Sequence, residues 1–194
     1  MRVLVACEES QRVTIEFRKL GHQAFSADLK DCSGGFPEWH YKGDVRSVIE
    51  HNSWDLIIAH PPCTYLAKSG SCNLVNGRGE IINQLRYEEM LQAREFFLYF
   101  YNLTGCKVAI ENPVPMARAD LPKWSQVIQP FQFGDDFSKQ TCLWLNGLPL
   151  LMPECYAESK RVFGQSWCAV HRSAAQRSKT FPGIARAMAQ QWGK

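Results

Sequence analysis

Two short stretches carry side chains able to do covalent chemistry. His60-Pro61-Pro62-Cys63 follows the apolar run Trp54-Asp-Leu-Ile-Ile-Ala59, and Glu111-Asn112-Pro113 follows Lys107-Val-Ala-Ile110. A thiol and a carboxyl group at neighbouring strand ends suit the activation of an electron-poor aromatic ring. Carbon 5 of cytosine is inert toward a methyl donor. Thiolate addition at carbon 6, with an acid protonating or hydrogen bonding ring nitrogen 3, turns carbon 5 into an enamine-like nucleophile. Cys63 and Glu111 have the types and order for those roles. The thiol must lose its proton while the carboxyl group keeps or shares one. Burial raises a glutamate's pKa, and nearby positive charge or aligned N–H groups lower a cysteine's. Lys68 is close to Cys63 in sequence. The plainer alternative is a packed loop thiol beside an ordinary end-of-strand carboxylate.

The elements that must position these groups follow from periodicity. Arg2-Val-Leu-Val-Ala6 reads as a buried strand, Cys7-Glu8-Glu9-Ser10 as a polar turn, residues 11–20 as a helix ending at Gly21, and residues 23–28 as a second strand. Strand, helix, strand is the opening unit of a doubly wound α/β sheet, whose ligands sit at the carboxyl ends of strands. Residues 32–42 read as a loop and 45–51 as a short helix. Residues 54–59 form the clearest strand, stopped by two prolines that place Cys63 just beyond its end. The polar, glycine-containing segment 69–79 is predicted to be a mobile surface loop. Residues 85–101 form a helix with Leu85, Met90, Leu91, Phe96, Phe97 and Phe100 as its core face. Residues 107–110 and 141–145 are further strands, and 181–192 a closing helix.

With 194 residues and 45% hydrophobic content, the chain is long enough for one full core, and a single domain is expected. No apolar run approaches the roughly 18–20 residues of a membrane span, and the N-terminus lacks a signal-peptide pattern. A soluble, cytoplasmic protein is the expectation. The eight cysteines contain no CxxC pair and read as reduced thiols. Cys142, Cys155, Cys168 and His171 match no standard zinc spacing, so no metal is expected. The net charge of +3 is small, yet no acidic side chain follows Glu158. Lys160, Arg161, Arg172, Arg177, Lys179, Arg186 and Lys194 then give a one-signed tail that could meet phosphates or form an ordinary solvated face.

Ile58-Ala-His-Pro-Pro-Cys-Thr-Tyr-Leu66 with Ser69-Gly70, and Ile110-Glu-Asn-Pro113, resemble the catalytic-loop and glutamate motifs of the DNA (cytosine-5) methyltransferases. Phe133-Gly134, Lys139 and Thr141-Cys-Leu-Trp-Leu145 resemble the next conserved block. The likeness is closer to short phage and prophage DNA cytosine methyltransferase-like proteins. Arg177-Ser-Lys-Thr-Phe-Pro-Gly-Ile-Ala185 and Ala187-Met-Ala189 with Gln191-Trp192-Gly193 resemble their C-terminal signature. The resemblance covers almost the whole chain. It implies a single Rossmann-like, class I methyltransferase α/β domain with a mostly parallel sheet and helices on both faces. It also implies a bacterial or phage-infected cytoplasm, S-adenosylmethionine as cofactor, and DNA as partner with its target base flipped out or in a single strand. On the cofactor side it implies Cys7, Glu8, Glu9, Ser10, Asp28 for the ribose, Asp44 near the adenine, Pro61 and Ile184. On the DNA side it implies Pro62, Thr64, Ser69, Asn112, Arg172, Arg177 and Lys179.

The sequence departs from the family in the turn after the first strand, which has no glycines, and at Thr64, where glutamine is common. Gln140 and Cys142 stand in place of two arginines, so either another cation, Lys139 or Arg177, substitutes at the catalytic pair or the rate is low. Residues 151–177 are a short insertion where longer relatives carry a target-recognition domain, so sequence specificity is expected to be short or supplied by a partner. A homodimer is compatible with so small a domain. Three other readings stay open: the same chemistry on a pyrimidine nucleotide or single strand; exocyclic-amine methylation, which His60 and Cys63 oppose; and a catalytically decayed DNA-binding or regulatory module.

Overall fold

The computed structural model describes residues 1–153, 173, 176 and 178–194. Seven strands form one mixed, mostly parallel sheet: β1 (Arg2–Ala6), β2 (Gln23–Asp28), β3 (His40–Lys42), β4 (Leu56–Ala59), β5 (Lys107–Pro113), β6 (Gln126–Ile128) and β7 (Thr141–Asn146), in the order β3-β2-β1-β4-β5-β7-β6. The first five run parallel, while β7 is antiparallel to both β5 and β6. Four described helices, α1 (Arg12–Lys19), α2 (Val45–Glu50), α3 (Gln84–Tyr101) and α4 (Pro182–Trp192), cover it. The fold is the Rossmann-like α/β arrangement expected.

Strand alternation explains why both faces are covered. Val3, Val5, Leu56, Ile58 and Ala109 point to one face and pack with Val13 and Phe17 of α1 and with Ile184, Met188 and Trp192 of α4. Leu4, Ala6, Ile57, Ala59, Val108 and Ile110 point to the other and meet Val45 of α2 and Met90, Phe97 and Phe100 of α3. A parallel sheet buried on both sides needs apolar residues at every position, which is why β1 and β4 read as unbroken runs. Trp192 and Phe97 are 1% and 0% exposed. Truncating either to alanine is worth about 3–5 kcal/mol.

Three expectations need correction. The segment 32–42 contains β3, paired with β2 from Ser26↔His40 to Asp28↔Lys42, and β6 went unrecognised. Both are three-residue edge strands, too short for a periodic signal. The segment 69–79 carries a 3-10 turn over Lys68–Asn73 and is anchored by Leu74, which is fully buried. On α3, Leu85 and Leu91 lie outside the core at 68% and 38% exposure, because the sheet covers only the stripe through Met90, Phe97 and Phe100. No helix among the described residues is long and apolar enough to cross a membrane.

Candidate active site

Register brings the chemistry together. Ala6, Ala59 and Ile110 are partners across β1, β4 and β5, so Cys7, His60 and Glu111 come next at one level along the carboxyl edge of the sheet. His60 N still donates to Ala6 O at 2.9 Å. The His60 Nδ1 to Glu111 Oε2 distance is 2.8 Å, with the two side chains only 9% and 11% exposed.

Burial pulls the His60 pKa down, but the Glu111 hydrogen bond and the charges of Glu111 and Glu8 outweigh it and leave the imidazole raised, with Lys139 opposing. Burial pushes Glu111 up; the His60 hydrogen bond and the charges of Lys139 and His60 win, and the carboxyl group lies below its ordinary value. With Glu111 ionised and acceptor-only, the shared proton resides on His60 Nδ1. The carboxyl group was expected to keep or share a proton, with burial raising its pKa; the His60 contact reverses that direction and leaves sharing with the imidazole as the arrangement the geometry allows. Lys139 does approach this pair closely enough to act on both partners, and it lies 6.0 Å from the Phe181 ring.

Cys63 is half-buried at the start of a tight turn, and its carbonyl accepts from Leu66 N (3.1 Å) and Ala67 N (2.9 Å). Leu66 and Ala67 are buried and hold the turn down. Asn112, 1% exposed, donates through Nδ2 to Pro61 O at 2.8 Å, tying the end of β5 to the turn before Cys63. From outside, Arg86 of α3 donates to Thr64 O at 3.0 Å and lies over the Tyr65 ring at 5.1 Å. Pro61 is buried, whereas Pro62, Thr64 and Ser69 are exposed. His60 Nε2 and Asn112 Oδ1 are buried without a hydrogen-bond partner among the described residues.

The turn after β1 is engaged internally. Glu8, 4% exposed, accepts from Val13 N (2.7 Å), Thr14 N (3.3 Å) and Thr14 Oγ1 (2.8 Å). It caps α1 in place of Gln11, whose left-handed backbone (φ 57°) and lack of a side-chain cap leave those N–H groups open. Burial, against His60 and these donors, raises the Glu8 pKa. Gln11 instead bonds Phe36 N (3.1 Å) and O (2.8 Å). Ile184 is packed in the core at 2% exposure. Glu8 thus bonds the start of α1 while lying near enough to His60 to feel its charge, and Ile184 packs under the sheet.

Cys7, also left-handed at φ 60°, is held neutral: burial first, then Asp28 and Asp44, push its thiol to about 12. Cys142 in β7 is likewise raised to about 11 by burial and then Glu111. Asp28 is half-buried at the end of β2 and accepts from Lys30 N at 2.9 Å. Asp44 caps α2 and pairs with Arg46 Nη2 at 2.7 Å. Around Cys7 there are therefore carboxylates able to accept from sugar hydroxyls or face a positive charge, while the α1 amides that would cradle an anion are already occupied. This donor set fits the nucleoside and cationic parts of S-adenosylmethionine, and fits a phosphate poorly.

Lys179, expected to meet DNA, is half-buried and reaches Ser33 Oγ (3.1 Å) and Glu9 Oε1 (3.7 Å) instead. Ser10 is buried at 8% exposure. Arg172 and Arg177, with Lys160, Arg161, Cys155, Cys168 and His171, lie outside the described residues. Residue reading missed His60 and Arg86 as part of the site. His60 was legible in principle, because one register step beyond β4 must face one step beyond β5. Arg86 gave no such signal, being fixed by how α3 lies over the turn.

No protein-family model and no curated protein matches this chain. Among solved structures it is similar to a protein described as a DNA modification methyltransferase encoded within a prophage of E. coli. The TM-score is 0.46 at 11% identity, over 79% of this chain and 51% of the other. It is similar also to a DNMT2 mutant from Spodoptera frugiperda, with TM-score 0.43 and 12% identity over 79% and 53%. The chain spans about half the length of each of these proteins, and the likeness concerns the fold alone.

Proposed function

We propose that this chain is an S-adenosylmethionine-dependent methyltransferase-like enzyme acting on carbon 5 of cytosine in DNA through a covalent adduct with Cys63. The observation that carries this reading is the His60–Glu111 pair, 2.8 Å apart and largely shielded from solvent, with His60 one residue past the end of β4, Glu111 in β5 and Cys63 on the turn that β4 feeds. In this reading the Cys63 thiolate forms a bond to carbon 6 of the ring. The ring electrons displaced toward nitrogen 3 are met by the proton that Glu111 and His60 share, and carbon 5 gains enamine character. S-adenosylmethionine, when bound, supplies an electrophilic methyl group. Loss of the carbon 5 proton to a base and expulsion of the Cys63 thiolate then restore the aromatic ring.

Asp28 would hold the ribose hydroxyls, and Glu9 and Ser10 would face the amino-acid end. Lys139 takes the electrostatic place of the missing arginines by favouring ionised Glu111. His60 acts as a positioning residue, holding Glu111 in one orientation and storing the proton. Burial holds the thiols of Cys7 and Cys142 neutral, which disfavours either of them as the nucleophile.

The test is trapping on DNA containing 5-fluorocytosine, where the fluorine blocks the final loss of a proton. A methylated protein–DNA adduct that is absent from Cys63→Ala is the expected result. Its absence on both duplex and single-stranded DNA, with a reactive control enzyme forming adducts, would move the assignment to nucleotide chemistry or to a binding module.

A further inference from the structure

A second feature shares the carboxyl edge of the sheet. The segment leaving the Cys63 turn and the segment leaving β5 are joined by a short antiparallel bridge between Ala67 and Pro115. Lys68 N donates to Val114 O and Met116 N to Leu66 O, each at 2.8 Å. Along this bridge runs a groove of about 970 Å³ whose lining includes Lys68, Val75, Arg118, Leu121 and Trp124, with Asp120 as its acid.

Lys68 and Arg118 are both exposed, and so are Arg78 and Lys123 beside the lining residues Gly79 and Trp124; Glu80, the other neighbour of Gly79, is exposed too and accepts from Asn76 Nδ2 at 2.7 Å. Arg118 Nη2 donates to Gly79 O at 2.8 Å and holds one wall. Asp120 is offset by Arg94, 3.3 Å away. Trp124 is half-buried, and its plane is set by an edge contact with Trp144 at 6.4 Å and 85°.

We infer that this groove binds a single strand of nucleic acid, leading it to the Cys63 turn. The inference rests on the reading proposed above and supplies its missing substrate surface. A cationic track beside a fixed aromatic wall is the arrangement that follows a phosphodiester backbone while offering unpaired bases a stacking face. A duplex hides those faces in its own stack, so the groove favours the unpaired strand. The bridge ties the track to Cys63, since one side leaves the Cys63 turn and the other leaves β5, which carries Glu111. Of the basic tail, Lys179 is held by Ser33 and Glu9, and Arg186 donates to Phe133 O.

The test uses the full chain and a fluorescein-labelled single-stranded oligonucleotide, with affinity read by anisotropy across a salt series. Reversing both cations, Lys68→Glu with Arg118→Glu, is expected to weaken binding at least tenfold. It should also flatten the plot of log affinity against log salt by about 1.4, at roughly 0.7 per phosphate contact on a single strand. Trp124→Leu should weaken binding severalfold with the slope unchanged. Lys19→Glu with Lys107→Glu, exposed at the opposite edge of the sheet, should alter neither.

Three results would overturn the inference: no binding by the unaltered chain, an equal loss from the remote reversal, or an unchanged slope in the groove reversal. A tighter grip on duplex than on single strand would overturn the choice of occupant. Lys68→Ala with Arg118→Gln, checked for an unaltered melting temperature, guards against a folding artefact. Adducts at Cys63 without dependence on the groove would overturn the groove alone. Groove-dependent binding with no adduct would overturn the chemistry alone.

Discussion

The carboxyl edge of the sheet has two halves that treat their polar groups differently. At the ends of β4 and β5, His60 and Glu111 face one another, and His60 Nε2 and Asn112 Oδ1 are buried with bonding capacity left over. At the ends of β1 and β2, the equivalent groups are taken up by the protein's own backbone: Glu8 by Val13 and Thr14, Gln11 by Phe36. Leaving a buried polar atom unpaired costs about 1–3 kcal/mol, so a fold tolerates it where something else is gained, commonly at functional sites. The first half therefore has the character of a reaction centre, while in the second Glu8 and Gln11 serve as scaffold and Asp28 keeps its carboxylate toward the edge. Glu8 and Glu111 make the contrast sharp. Both are buried and both feel His60, yet Glu8 is raised and Glu111 lowered, because Glu111 bonds the imidazole directly.

The largest effect should come from the nucleophile. Cys63→Ala is expected to abolish adduct formation while leaving the melting temperature within about 2 °C, since the thiol is half-buried at a turn. A variant that still forms the adduct would place the chemistry elsewhere on the edge. Next, Glu111→Gln keeps the size but loses the shared proton, and should slow adduct formation by about 10²–10⁴-fold. Single-turnover trapping measures it, and a loss below threefold would remove Glu111 from the mechanism.

His60→Asn leaves Glu111 buried without its cation and should destabilise by about 3 kcal/mol. Its pH dependence has a definite sign. The raised His60 contributes fully below the ordinary histidine value of 6.5, and loses this as pH rises through its folded value. The lowered Glu111 contributes fully above its ordinary 4.5, and loses this as pH falls through its own folded value. The difference between unaltered and variant chains in urea melts should therefore be greatest between 4.5 and 6.5 and shrink on both sides. A difference that stays flat from about pH 4 to about pH 9 would mean that the two groups are not coupled.

On the other half, Glu8→Ala removes a cap and should cost about 2 kcal/mol, or roughly 5 °C in melting temperature, with adduct formation at Cys63 retained. Stability unchanged by that variant would end the scaffold interpretation. The smallest contrast lies between two acids. Asp28→Asn should weaken S-adenosylmethionine binding about tenfold by calorimetry, while Asp44→Asn, whose carboxylate already serves Arg46 and α2, should change it less than twofold. Equal effects would show that Asp44 also faces the cofactor.

Much of this was legible in the residues. The apolar runs at 2–6, 56–59 and 107–110 declare buried strands because both faces of a parallel sheet must be covered, and two prolines end the strand before Cys63. Helix α4 announced itself by apolar spacing from Phe181 to Trp192. Less legible were β3 and β6, edge strands defined by a neighbour rather than by a pattern of their own. The inward turn of Leu74 was hidden among polar residues.

By itself the sequence determined which residue types stand at each strand end: a thiol after β4, a carboxyl group on β5, and acids after β1 and β2. Periodicity and breakers are local properties and can be read locally. Only the tertiary structure decided which of these groups are partners, because protonation depends on distances between residues 51 positions apart in the chain. Register put His60 against Glu111 and reversed the expected direction of the glutamate's shift. The left-handed turn at Gln11 leaves α1 without a cap of its own, and Glu8 supplies it from three residues upstream.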